Sequence, residues 1–215
     1  MPQKYRAKFI NSLSGFKSAN LIGSQNLSGQ SNLAIFSSVV HLGASPALVG
    51  FIMRPDNGDR HTLNNIINTK QYTINQVSTD FYRKAHQSSA RYTQEESEFT
   101  QSGLTEQYIK DVSAPFVKES RLKYALTLQD IVHIDLNNTQ LIIGEISHIL
   151  YEDKAIQEDG HIDIEALKTA CISGLDSYHN TTRLSRLSYA KPDQLLNNLD
   201  LSGLPLNQNK EENSS

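Results

Sequence analysis

The chain has 215 residues, 38% of them hydrophobic, a net charge of −3 and one cysteine, Cys171. That length suits a single β-rich domain with insertions, whose core needs no covalent staples. Lys and Arg are scattered, which argues against a nucleic-acid partner, and a lone cysteine excludes an intramolecular disulfide and any thiolate-rich zinc or iron–sulfur site.

Residues 6–13 fit either a short helix or the lead-in to a strand, and residues 18–24 read as a strand. Residues 26–31 form a turn in which Gly29 can take positive φ. Two apolar runs of strand length follow, residues 33–36 and Ala47–Met53. Their continuous apolarity predicts burial on both faces, as where a barrel strand meets another subunit. Residues 56–60 form a polar turn. A helix then opens at His61 and Thr62, with Asp59 or Thr62 as N-cap and Leu63, Ile66 and Ile67 at helical spacing.

Residues 72–77 alternate as a short strand, residues 81–89 are helical, and residues 91–98 are charged and exposed. The β-rich runs Leu122–Ile134 and 140–151 flank turn-forming residues 135–138 and read as a hairpin. Residues 164–171 carry a helical pattern in which Cys171 is a small buried side chain. Apolar content thins from residue 193, and residues 207–215 are wholly polar, so the tail is expected to be disordered. The N-terminus leads into no apolar signal core, and no segment approaches the roughly 20 apolar residues of a membrane span. The expectation is a cytoplasmic protein with no membrane contact.

Ser37 and Ser38 end the first apolar run, and Arg54 ends the second. Taken alone, each serine can simply terminate a strand. Taken with Arg54 and the helix opening at His61 and Thr62, they supply what a phosphate requires: hydroxyls, a guanidinium and a helix N-terminus. Neither a G-x-G-x-x-G nor a G-x-x-x-x-G-K-S motif is present, so dinucleotide-fold and P-loop readings have no support. His86, in K-A-H-Q-S-S, is a candidate proton donor or a helix-surface histidine. His148 and Glu152 flank a β-rich run, where i, i+4 spacing does not converge, so no metal site is expected. Glu145 is expected to pair with Arg121 or Lys123.

Several segments together resemble the flavin reductase-like, FMN-binding family. They are G-F-K-S-A-N-L-I-G-S (residues 15–24), the stretch from Asn32 to Thr62, K-A-H-Q-S-S-A (84–90), A-P-F-V-K-E-S (114–120), I-I-G-E-I (142–146) and R-L-S-Y-A-K-P (186–192). The resemblance implies a mainly β fold with helices, an FMN-binding split β-barrel, homodimeric. It also implies a flavin reductase-like domain over residues 1–195 and a polar tail over 196–215. By the same resemblance Ser37, Ser38, Arg54, His61 and Thr62 fall on phosphate-binding segments. Lys17, Ser18, Ala19 and Asn20 fall near the isoalloxazine, where an ammonium or amide would stabilise reduced flavin. A solvated cation is the alternative for Lys17, and a turn-closing residue the alternative for Asn32, a further candidate for the ring edge. Lys191 is a candidate contact to phosphate or ring, or a surface lysine. The implied activity is NAD(P)H-dependent flavin reduction, with FMN as cofactor, NADH or NADPH as transient donor, and free flavin or an electron-transfer protein as acceptor. A flavoredoxin-like electron carrier and an FMN-binding protein without nicotinamide turnover are the alternatives.

Overall fold

A computed structural model describes residues 1–55, 61–93 and 96–206. The expected turn at 56–60 with its candidate cap Asp59, and the polar stretch 207–215, lie outside the described residues. The chain opens with a helix, α1 (Gln3–Ser12), so the first of the two readings of this segment holds. No residue of α1 is buried, and Tyr5, Phe9 and Ile10 remain exposed.

The expected strand at 18–24 is divided: β1 (Phe16–Ser18) and β2 (Asn20–Gln25) belong to different sheets. Then come β3 (Ser31–Phe36), β4 (Val40–Ala44), β5 (Ala47–Met53), α2 (His61–Thr69), β6 (Gln71–Gln76), α3 (Tyr82–Gln87) and α4 (Glu98–Ser102). After β7 (Glu106–Ile109) and β8 (Val112–Val117), the long strands β9 (Leu122–Ile134) and β10 (Thr139–Tyr151) form the expected hairpin. Short strands β11 (Cys171–Ser173), β12 (Ser177–His179), β13 (Arg186–Leu187) and β14 (Asn198–Leu199) complete the chain.

Seven strands make one antiparallel sheet in the order β3-β2-β6-β9-β10-β5-β4. Both faces of its centre are buried. In β2, Leu21 packs with Leu33, Val77, Phe81 and Ile172, whereas its neighbour Ile22 packs with Phe51, Ile66, Tyr72, Ile74 and Ile142. Successive strand side chains point to opposite faces, so one short strand feeds two cores. Helix α2 covers the second of these with Leu63 and Ile66.

Strand β8 is tied to the sheet face by a buried polar network. Thr73 Oγ1 donates to the Pro115 carbonyl at 2.6 Å, and Val117 N donates to Asn75 Oδ1 at 2.9 Å. Asn75 Nδ2 donates in turn to the Leu21 carbonyl and to Thr73 Oγ1. Each buried polar group thereby finds a partner, which removes the desolvation cost it would otherwise carry. Gly23 lies beneath this crossing; a Cβ there would collide with the Pro115 carbonyl and sit 2.6 Å from Thr73 Oγ1.

Two expectations need correction. Residues 164–171 form no helix. Asp163 Oδ1 accepts from Glu165 N and Ala166 N, Thr169 N turns back to the Ile164 carbonyl, and Lys168 has φ of 53°. Local side-chain hydrogen bonding and a left-handed residue defeat the helical pattern, and half-buried Cys171 begins a strand instead. Glu145 does not take the expected partners. Arg121 pairs with Asp80 and Glu152, while Lys123, 6% exposed, donates to Gln107 Oε1 and to the Val117 and Lys118 carbonyls. Burial lowers the Lys123 ammonium to about 8. The β13–β14 ladder pairs Leu187 with Asn198. Among the described residues no helix is long and apolar enough to cross a membrane.

Candidate functional site

The ends of β3 and β5, helix α3 and the β11–β12 hairpin enclose a cavity of about 290 Å³, open on one side. Ile35, Phe36, Ile52, Ile172 and Leu175 give it apolar walls. Ser37, Ser38, Arg54, His86, Ser89 and Tyr178 supply its polar groups. Apolar walls with a few convergent donors are the ordinary make-up of a small-molecule site.

The serines follow β3 directly, and Arg54 follows β5. These strands do not pair with each other, being the third and fifth in chain order at opposite parts of the sheet order. Ser38 links them: its Oγ donates to the Ile52 carbonyl at 3.2 Å and accepts from Ile52 N at 3.1 Å. Ser38 therefore extends β5 as a strand partner would. The Ser37 hydroxyl makes no hydrogen bond among the described residues and is free for a ligand. Arg54 is exposed, and its Nη2 donates to Asn11 Oδ1 at 2.7 Å.

On the opposite wall, His86 Nδ1 lies 3.1 Å from Tyr178 Oη, with the two rings edge to face at 5.7 Å. Burial pushes the Tyr178 phenol up to about 12, so it keeps its proton. The phenol can donate to Nδ1 in the tautomer that carries its N–H on Nε2.

The remaining candidates divide. Lys17 does not line the cavity. Its Nζ donates to the Asn11 carbonyl at 3.1 Å and the Gly174 carbonyl at 2.9 Å. Burial first, and then the charge of Arg54, lower its ammonium. Ser18 Oγ accepts from Asn20 Nδ2 at 2.8 Å; Ala19 and Asn20 are buried at the entry to β2. Lys191 is exposed between β13 and β14 and is not on the cavity wall.

The structure also separates the expected five-residue phosphate site. Asn32 and His61 border a different, polar cavity of about 60 Å³, together with Asn26, Asn64, Asn65 and Glu98, and Thr62 is bonded to Asn32. There Asn32 Nδ2 donates to Thr62 Oγ1 at 2.9 Å, both residues being buried. Glu98 Oε2 accepts from Leu33 N at 3.0 Å, and burial raises its carboxyl. Asn32 and Thr62 spend these groups on holding α2 to β3, a packing role.

Sequence reasoning missed Tyr178 and Asn11. Tyr178 follows S-G-L-D-S, whose Gly174 has φ of 60° and turns the β11–β12 hairpin. That glycine was the available signal for a hairpin; nothing local marks Asn11.

An anionic ligand end beside Ser37 and Arg54, and a flat apolar body between Ile35, Ile52 and Tyr178, fit this donor set. A flavin mononucleotide has both features. The cavity offers one guanidinium and no loop built for a diphosphate.

A family model described as "Flavin reductase like domain" matches residues 15–164. Among solved structures, a candidate flavin reductase with split barrel domain from Shewanella frigidimarina NCIMB 400 aligns with a TM-score of 0.86 and 54% identity, covering 88% of this chain and 94% of that one. Nitrilotriacetate monooxygenase component B from Bacillus cereus aligns with a TM-score of 0.79 at 20% identity, covering 87% and 95%. Flavoredoxin of Desulfovibrio vulgaris (Miyazaki F) aligns with a TM-score of 0.68 at 20% identity, covering 83% and 92%. At such identities these last two show a shared fold alone. A protein of Aquifex aeolicus is 28% identical over 136 residues, 62% of this chain and 68% of its own length. The mainly β architecture with few helices agrees with these split-barrel neighbours.

Proposed function

The chain belongs to the flavin reductase like domain family, and from that premise we propose that its cavity binds FMN and that the protein takes hydride from NADH or NADPH. The family implies a flavin cofactor and oxidoreductase chemistry. The choice of FMN rests on one observation: the cavity pairs apolar and aromatic walls with a single cationic end, Arg54 beside the Ser37 hydroxyl.

When bound, the flavin supplies the hydride-accepting chemistry; the chain's residues supply position and electrostatics. Arg54 and Ser37 bind the phosphate, with the guanidinium offering its remaining donors in a fixed fork. Ile35, Ile52, Ile172 and Leu175 exclude water from the ring. Tyr178 orients the His86 ring, which can then offer a hydrogen bond from Nε2–H to a ligand at the cavity mouth. The acceptor is free flavin or an electron-transfer protein. The same reading has the protein acting as a homodimer. It is supported by apolar side chains left uncovered on edge strand β4, where Val40 is 46% and Leu42 42% exposed.

Anaerobic mixing of the FMN-loaded protein with each nicotinamide tests the reaction. The expected result is bleaching of the visible flavin band by NADH or NADPH. If neither bleaches it within minutes while a reduced carrier protein does, the reductase reading falls and an electron carrier replaces it.

A further inference from the structure

Arg54 comes from the end of β5 and Lys17 from β1, yet both cations are held by one residue. Asn11, in the last turn of α1, accepts from Arg54 Nη2 at its side-chain Oδ1 and from Lys17 Nζ at its backbone carbonyl. The Gly174 carbonyl takes a second Lys17 proton, and Lys8 pairs with Asp176 at 3.4 Å, so the tip of the β11–β12 hairpin closes against the same helix end. This tip carries Leu175, a wall of the cavity.

Both cations donate to neutral carbonyl or amide oxygens. Among the described residues no carboxylate pairs with either. The two charges thus lie near each other with no acid among those residues bonded to either, and the influence of Arg54 on the Lys17 ammonium reflects that nearness. A like-charged pair held apart from acids repels itself, and that cost is recovered only when an anion binds. A free arginine side chain, moreover, loses substantial rotamer freedom when it grips a ligand. Asn11 removes that freedom beforehand while using one of five guanidinium donors.

We propose that Asn11 is a positioning residue for the anionic end of the ligand: its side chain preorganises the Arg54 guanidinium at the cavity wall, while its carbonyl anchors the Lys17 ammonium behind it, outside the cavity lining. The inference rests on the flavin reading above and adds the residue that sets its phosphate selectivity.

The test compares FMN with riboflavin, which lacks the phosphate, by fluorescence titration of wild type, Asn11→Ala and Asn11→Asp. Asn11 is half-buried on a helix with no buried residue, so both variants should fold, as circular dichroism would verify. Asn11→Ala should weaken FMN by about three- to tenfold, the effect of one hydrogen bond, and leave riboflavin unchanged within about twofold. Asn11→Asp should weaken FMN further, because its carboxylate neutralises Arg54. Equal losses for both ligands would mark a merely structural contact and overturn the proposal. A selective gain in FMN affinity for Asn11→Ala would also overturn it, by showing that Asn11 competes with phosphate. Should wild type bind FMN and riboflavin equally, the Arg54 end is no phosphate site, whereas binding of neither would bring down the flavin reading itself.

Discussion

Arg54→Ala is expected to weaken FMN binding by about 1.5–3 kcal/mol, roughly tenfold to a hundredfold in Kd, the range for hydrogen bonds to a charged group. The fold should survive, because Arg54 is exposed and its hydrogen-bond partner, Asn11, sits on a helix that buries nothing. Arg54→Lys should recover part of the loss: a charge returns, but not the planar fork that meets two phosphate oxygens. Raising salt should shrink the difference between wild type and Arg54→Ala, since the site is open to solvent. Isothermal titration of FMN into the three proteins measures all of this. Unchanged affinity in Arg54→Ala would remove Arg54 from the phosphate site.

Gly23→Ala is expected to produce the largest loss of stability, about 3 kcal/mol, near the top of the usual range for overpacking. In a chain of this size that corresponds to a melting temperature lower by about 6–12 °C. The obstacle is backbone: the added methyl meets the Pro115 carbonyl, so no side-chain rotation relieves it. Strand β8 must lift, which breaks the Thr73–Pro115 hydrogen bond and strains the Asn75 network behind it. Gly43→Ala is the control. A Cβ there stands 3.5 Å from the Pro46 carbonyl, an ordinary contact, and should change stability by less than about 0.5 kcal/mol. Equal melting temperatures for the two variants would contradict the packing of β8 on β2.

Much of the scaffold was legible along the chain because its signals are local. Ala47–Met53 and Leu122–Ile134 were read with the bounds they have. Continuous β-branched and aliphatic runs leave few alternatives, and the turn at 135–138 fixes their partner. Helix α2 was equally clear, since Leu63 and Ile66 repeat at helical spacing and both end in the core. Residues 164–171 carried a similar pattern and failed. There the Asp163 side chain competes for backbone N–H groups that a helix would need.

The site was legible in part. Ser37, Ser38, Arg54 and His86 do converge on one cavity, although they come from three separate elements. His61 and Thr62 were grouped with the serines and Arg54 as a helix opening close by in sequence, and Asn32 was a candidate for the ring edge. A motif is one-dimensional and does not say which cavity a side chain will face. Asn32 meets Thr62 across 30 residues, on the far side of a packing contact. Tyr178 and Asn11 were invisible for a related reason. Each acts through a partner distant in sequence, 92 residues away for His86 and 43 for Arg54, and neither stands in a recognisable pattern.

The most direct test of the flavin reading is a fluorescence titration of the wild-type protein with FMN, FAD and riboflavin. A site with apolar walls and one cationic end predicts quenching and saturation by FMN at micromolar concentration, with FAD and riboflavin both weaker. A protein that is colourless as purified and leaves FMN fluorescence unshifted across that range would contradict it.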